Sequence, residues 1–234
     1  MVFDIITIFP EIFDSYLNES LIARGQKKKL IKISVHNLRK WTKDRRKTVD
    51  DRPYGGGLGM ILKIEPIYKA VQFLERKAKN PAFAKASAGG EKRKTILFTP
   101  RGRQFNQQLA HKLSKLDRLI LICGRYEGVD ERVAKHLADI ELSIGPYDLM
   151  GGELAAMVVV ETISRLIPGV LGKPELLKER ITKDGGFMEY SHYTRPEIFE
   201  PKKGIKWRAP KVLVSGNHKK IGDWRSKRGK AIEK

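Results

Sequence analysis

The sequence predicts an α/β fold: a parallel sheet with covered faces, followed by a small, mainly helical basic module. Three observations predict it. Short apolar runs alternate with helical patterns through most of the chain. One of these runs, RLILIC at 118–123, is apolar almost throughout, as a strand buried on both faces must be. The charge is also uneven. The 234 residues contain 47 Lys and Arg against 27 Asp and Glu, a net charge of +20, and residues 201–234 carry 12 of those basic residues against 2 acidic ones. Half of the excess therefore sits in about a seventh of the chain, and its implied partner is a polyanion, with an anionic membrane surface the other candidate.

Taken in order, residues 2–9 read as an apolar strand. Pro10 and Glu11 then open a helix to about Arg24, with proline in the first turn where its missing N–H costs nothing. Residues 30–35 alternate with period two, as a strand does. Residues 42–60 are irregular and rich in charge and glycine. Ile67, Ala70, Val71 and Leu74 recur at helical spacing. Residues 80–93, NPAFAKASAGGEKR, read as a mobile surface loop. Strands are then expected at 95–98, 118–123 and 140–144, with helices at 105–116, 130–137 and 154–166. In the basic module, residues 212–214 read as a short strand-like run, 215–217 as a turn and N-cap, and the following residues as a helix through Trp224. Trp207 and Trp224 argue for a folded element rather than a charged tail, and they either pack the module or stack on bases.

Ligands gather at the carboxyl ends of the strands in such sheets. Three segments there combine glycine with polar side chains: residues 99–102 (TPRG), 124–128 (GRYEG) and 145–153 (GPYDLMGGE). Each taken singly serves equally well as a tight turn. Together they suit a pocket that binds a planar small molecule through main-chain groups.

Several alternatives are excluded. No G-x-G-x-x-G or Walker pattern lies at a strand–helix junction, and the glycine run at 55–59 has no Lys-Ser/Thr and no preceding strand. The five histidines have no metal-ligand spacing, so no metal site is expected. A single cysteine, Cys123, rules out a disulfide framework and fits a reducing, cytoplasmic setting. The N-terminus lacks the features of a secretory signal, and no stretch approaches the ~20 apolar residues that span a bilayer.

Six motifs together identify a resemblance: TVDDRPYGGGLGM (48–60), LICGRYEGVDERV (121–133), LSIGPYDLMGGELAAM (142–157), SRLIPGVLG (164–172), HYTRPE (192–197) and VLVSGNH (212–218). The chain resembles the bacterial tRNA (guanine-N1-)-methyltransferase family over almost its whole length. The resemblance implies a SPOUT-type fold with a deep trefoil knot, a homodimer with sites at the subunit interface, and S-adenosylmethionine as methyl donor. It implies a methyltransferase domain at 1–168, a linker at 169–191 and a tRNA-binding domain at 192–234. The implied cofactor pocket consists of Leu97, Phe98, Thr99 and Pro100; Gly124, Arg125, Tyr126 and Glu127; and Ser143, Ile144, Gly145, Pro146, Tyr147, Asp148 and Leu149 with Gly151 and Gly152. The family's proline after G-G-E-L is Ala155 here.

The implied reaction sets the roles. Guanine N1 carries a proton and becomes nucleophilic only when a carboxylate removes it. Charge then grows on O6, where an arginine or a magnesium ion would stabilise it. By resemblance the arginine is Arg165, which otherwise reads as a helix-surface residue. The family's aspartate before Ser-Phe has no counterpart in the linker. The only linker aspartate is Asp184, flanked by Gly185 and Gly186, and it is the expected base; a Lys-Asp-Gly turn explains it equally well. The RNA-binding residues expected are Asp50, Arg52, Arg195, Lys219, Lys220 and Arg225, and a local salt bridge is the alternative for Asp50 and Arg52. The substrate expected is the tRNA anticodon stem-loop, methylated at the guanine just 3′ of the anticodon. Methylation of another RNA is the second reading, and a non-catalytic RNA-binding protein the third.

Overall fold

Strand β6 (Arg118–Ile122) is buried at all of its positions, and the rest of the first unit is arranged around it. In the computed structural model, which describes residues 1–79, 92–173, 175 and 186–231, the chain forms two units, Met1–Pro174 and Glu175–Lys234. The division falls inside the expected linker.

The first unit holds a five-stranded parallel sheet in the order β2-β1-β6-β5-β7. Its strands are β1 (Val2–Thr7), β2 (Lys32–Asn37), β5 (Arg93–Gln104), β6 and β7 (Ile140–Ser143). A two-stranded antiparallel pair, β3 (Asp50–Asp51) and β4 (Ile61–Leu62), stands apart from it. The strand period of two divides the apolar residues between two cores. Leu119 and Leu121 of β6 join Phe3 and Ile5 of β1 on one face, under Val159 and Ile163. Ile120 and Ile122 face the other way, under Val71, Leu74 and Val133. The first face is covered by α2 (Ser20–Lys27), α4 (Gln107–Leu113) and α6 (Glu153–Ser164), and the second by α3 (Ile64–Lys79) and α5 (Glu131–His136). Burying each Leu or Ile side chain contributes roughly 1.5–3 kcal/mol.

One buried carboxylate ties three strands together. Asp4 of β1 meets His36 Nε2 of β2 at 2.7 Å and accepts from the Arg118 guanidinium of β6. Removing Arg118 would leave the Asp4 carboxylate in the core without its guanidinium partner.

The structure corrects several local expectations. The helix expected from Pro10 to Arg24 is broken into a 3₁₀ turn (Pro10–Phe13), α1 (Asp14–Leu17) and α2. Asn18 Nδ2 donates to the Asp14 carbonyl at 2.6 Å, ending the helix by the side-chain competition typical of asparagine. Residues 99–102, expected as a loop, lie within β5. There Phe98 and Arg103 both pair with Leu142, so the intervening residues bulge out. Gly102 is required at the bulge, since a Cβ there would lie 2.5 Å from the Leu142 backbone nitrogen. Residues 80–91 of the expected loop lie outside the described residues.

In the second unit, β9 (Ile198–Lys202) and β10 (Ile205–Arg208) form a hairpin that the sequence reading did not anticipate. Residues 212–214 are not strand-like but belong to a short helix, α7 (Lys211–Val214), which starts after Pro210. Three apolar residues with no partner strand cannot satisfy their backbone groups as a strand, whereas a helical turn does so locally. Asn217 caps α8 (His218–Arg228) as expected, its Oδ1 accepting from the Lys220 N–H at 3.1 Å. A short pair, β8 (Met188–Glu189) and β11 (Lys230–Ala231), joins the two ends of this unit.

Candidate functional site

Because the sheet is parallel, the carboxyl ends of its strands share one edge, and the segments leaving β5, β6 and β7 meet there around a cavity of about 610 Å³. All but one of the residues expected to form the pocket line it. Leu97, Phe98, Thr99 and Pro100 come from β5, and Gly124, Arg125, Tyr126 and Glu127 from the segment after β6. Ser143, Ile144, Gly145, Tyr147, Asp148, Leu149, Gly151 and Gly152 come from the segment after β7. Pro146 is the exception. Arg101 and Gly128, from the TPRG and GRYEG segments, also line the cavity, as do Val129, Glu131, Leu142 and Ala155, which were not foreseen. Leu142 follows from strand alternation, and Glu131 from its place directly after the N-cap Asp130. Arg101 belongs to the TPRG segment, and its guanidinium reaches Glu131 (2.5 Å) and Glu141 (3.0 Å), a pairing no local pattern marks.

The walls are joined by a buried clamp. Glu153 is 1% exposed. Its Oε1 accepts from the Thr7 hydroxyl at 2.7 Å, and its Oε2 from Arg125 Nε at 2.9 Å. Arg125 also donates to the Met150 carbonyl at 3.3 Å and lies 4.8 Å from the centroid of the Phe9 ring. Gly152 N donates to the Gly124 carbonyl at 3.0 Å, and Arg125 bridges Gly151. The Arg125 side chain thus orients the wall rather than projecting as a free cation.

Gly152 has helical torsions (φ −80°, ψ −3°) that any residue adopts, so space is what requires glycine there. A Cβ would lie 2.8 Å from Cys123 Cα and 3.1 Å from Phe98 Cβ. At 126–128 the backbone itself is the constraint, with positive φ at Tyr126 (60°) and Gly128 (120°). This turn is held from outside: Glu127 N donates to the Met60 carbonyl and Leu62 N to the Gly128 carbonyl, both at 3.0 Å. The same β4 residue pairs with Asp50, which links Asp50 to the cavity wall.

The segment after β7 braces itself. Ser143 Oγ donates to the Gly145 carbonyl at 2.8 Å, Tyr147 Oη to that of Ile144 at 3.2 Å, and Leu149 N to Asp148 Oδ1 at 2.9 Å. The lining carries Glu127, Glu131 and Asp148 beside Arg101 and Arg125, with Glu131 paired to Arg101. Burial, with Glu153 nearby, pushes the Cys123 thiol up, so it stays protonated and inert behind the wall.

Other expected residues lie elsewhere. Arg165 is exposed at the C-cap of α6 and does not line the cavity. Asp184 lies outside the described residues. Asp50, in β3, and Arg52 form no ion pair among the described residues; Asp51 Oδ1 instead accepts from the Arg52 N–H at 2.8 Å. In the second unit Arg195, Lys219 and Lys220 are exposed, and Arg225 lies 5.1 Å from the Tyr190 ring centroid. Among the described residues no group of three or more His, Cys, Asp or Glu is placed to hold a metal ion, and no helix is long and apolar enough to cross a membrane.

A parallel sheet whose carboxyl edge opens into a glycine-walled cavity defines an α/β protein with a pocket of the kind that takes a small ligand against main-chain groups. Comparison with known proteins gives the family. Residues 1–233 match the family described as tRNA (Guanine-1)-methyltransferase TrmD. The chain is 47% identical over 227 residues to a tRNA (guanine-N(1)-)-methyltransferase of Dehalococcoides mccartyi, covering 97% of this chain and 85% of that one. It is 49% identical over 224 residues to the protein of the same name from Dictyoglomus turgidum, covering 96% and 83%. Its fold matches the crystal structure of tRNA (m1G37) methyltransferase from Aquifex aeolicus with a TM-score of 0.74 and 36% identity, covering 96% of this chain and 87% of that one. The chain belongs to the tRNA (guanine-N1)-methyltransferase family.

The steric account of Gly152 gives a direct test. Gly152→Ala is expected to weaken binding of the methyl donor by about tenfold in calorimetric titration, because Phe98 or the Cys123 backbone must give way. Wild-type affinity in a folded Gly152→Ala chain would contradict the assignment of this wall.

Proposed function

We propose that this chain transfers a methyl group from S-adenosylmethionine to N1 of the guanine immediately 3′ of the anticodon in tRNA, in the cytoplasm. The observation that carries this reading is the cavity. Three segments of a family member's sheet meet at one edge around a volume inside the roughly 300–1,000 Å³ typical of small-molecule sites. The residues present fit the cofactor. Glycines allow its flat base and sugar to approach the main chain, and Glu127 and Asp148 suit its two cationic groups. When bound, S-adenosylmethionine supplies a methyl group activated by the positive sulfur. The chain's own task is to hold the guanine and control its protons.

Asp184 is the base in this reading: its carboxylate takes the N1 proton from within about 3 Å. Its support is that it is the only aspartate of the linker and is flanked by two glycines that let the segment adjust. Arg165 donates to O6 as charge grows there, and a magnesium ion would act at the same oxygen. The position of Arg165 supports a dimer. It follows the 12-residue helix α6, about 18 Å long, whose first turn is a cavity wall. A second copy is the route by which Arg165 would reach a cavity. The exposed apolar side of α6 supports the same arrangement: Leu154 is 58% exposed and Val158 41%, one helical turn apart, with Met150 beside them in sequence.

Two transcripts test the reaction, one with guanine and one with adenine 3′ of the anticodon. Labelled methyl is expected in the first alone, and Asp184→Asn is expected to abolish turnover by at least 100-fold while cofactor still binds. Label in neither transcript, with cofactor bound, contradicts the proposed substrate. For the dimer, Val158→Asp is expected to shift sedimentation from dimer to monomer and to lose methyl transfer with it; a wild-type chain that sediments as a monomer at micromolar concentration sinks that part.

A further inference from the structure

Two-stranded hairpins are marginal in water unless something covers a face. The β9–β10 hairpin is exposed at all nine of its strand positions, yet it carries large apolar side chains. Phe199 and Trp207 are cross-strand partners with ring centroids 5.8 Å apart, and they are 50% and 62% exposed. Trp224 behaves differently: it is half-buried, near Tyr193 (6.4 Å) and Arg228 (5.8 Å). One tryptophan of the basic unit therefore packs it, and the other is displayed.

The surroundings of the displayed pair are cationic. Lys202, Lys203, Lys206 and Arg208 lie on the hairpin and its turn, and none has a carboxylate partner among the described residues. The hairpin's own carboxylate, Glu200, accepts from the Gly204 N–H at 2.7 Å and is held in the turn. An aromatic surface that faces water among unneutralised cations matches an unpaired nucleotide, whose base stacks while its phosphates meet the lysines. A second copy packed through this hairpin fits less well, because it would set Lys202, Lys203, Lys206 and Arg208 against like charges.

We propose that the Phe199–Trp207 pair is a stacking platform for an unpaired base of the tRNA, with Lys202, whose cross-strand partner Ile205 shares the Trp207 face, on the flanking phosphate. The proposal rests on the RNA reading above and adds a contact remote in sequence from every cavity residue. Trp207 is a positioning residue in it: it anchors the RNA and takes no part in the methyl transfer.

The test compares the full-length wild type with Trp207→Ala and Trp207→Phe. Stacking of one base is worth ~1–3 kcal/mol by alanine substitution, so Trp207→Ala is expected to weaken binding of a tRNA transcript by about 5- to 150-fold at fixed salt. Trp207→Phe should recover most of the loss. S-adenosylmethionine affinity and the sedimentation coefficient should not move, and tRNA should quench tryptophan emission more in the wild type than in Trp207→Phe. Should Trp207→Ala not fold, this difference in quenching decides the matter. Unchanged tRNA affinity in a folded Trp207→Ala chain overturns the proposal. A change in sedimentation with tRNA affinity intact also overturns it and assigns the hairpin to a second copy. If the wild type methylates neither transcript but Trp207→Ala still weakens tRNA binding, the platform stands and the methylation reading falls.

Discussion

The carboxylate of Glu153 is buried where β1, the segment after β6 and the start of α6 converge, and the cavity depends on how it is satisfied. One oxygen accepts from Thr7 and the other from Arg125. Thr7 also accepts from the Phe9 N–H at 2.9 Å, which fixes the chain as it leaves β1. A buried ion of this kind is costly unless each lone pair is engaged, and it contributes little net stability when it is. Its value here is positional. It holds the GRYEG and GGEL segments together, and the Gly152–Gly124 hydrogen bond then closes the wall. The glycines follow from that closeness: Gly152 because Cys123 and Phe98 fill the space where a Cβ would go, Gly102 because β5 bulges against β7.

Much of this was legible in the sequence, for identifiable reasons. The run at 118–123 has the composition of a strand buried on both faces, and it is the centre of the sheet. The strand-end rule pointed to the three segments that line the cavity, since parallel strands place their ends on one edge. Other features were not legible because they depend on tertiary partners. The bulge at 99–102 exists because Phe98 and Arg103 share Leu142, a pairing no local pattern encodes. The run at 212–214 has the residue types of a strand, but with no neighbour to pair with it turns as a helix after Pro210. Arg101 and Glu131 meet over 30 residues of sequence. The roles of Asp184 and Arg165 rest on motif resemblance, with the first outside the described residues and the second at the far end of α6.

The two units divide the work along physical lines. The first is built on burial: two apolar cores on a parallel sheet, with the buried carboxylates of Asp4 and Glu153 each engaged by an arginine. The second has few buried side chains among the described residues and much of the charge, a composition suited to a surface that meets a polyanion, because each lysine neutralising a phosphate releases a condensed counterion. Within it, Trp224 supports the fold while Trp207 remains at the surface, so residue type alone does not assign either role.

The clamp is the claim on which the site account stands, and Glu153→Gln tests it with little change of shape. The amide still accepts one hydrogen bond but loses the charge that engages Arg125. Hydrogen bonds to charged groups are worth roughly 1.5–3 kcal/mol, so binding of the proposed cofactor, measured by calorimetry with S-adenosylmethionine, should weaken by about tenfold or more in a chain that still unfolds cooperatively. Wild-type affinity in a folded Glu153→Gln chain would show that the cavity walls do not depend on this contact, and the account of how the site is assembled would be wrong.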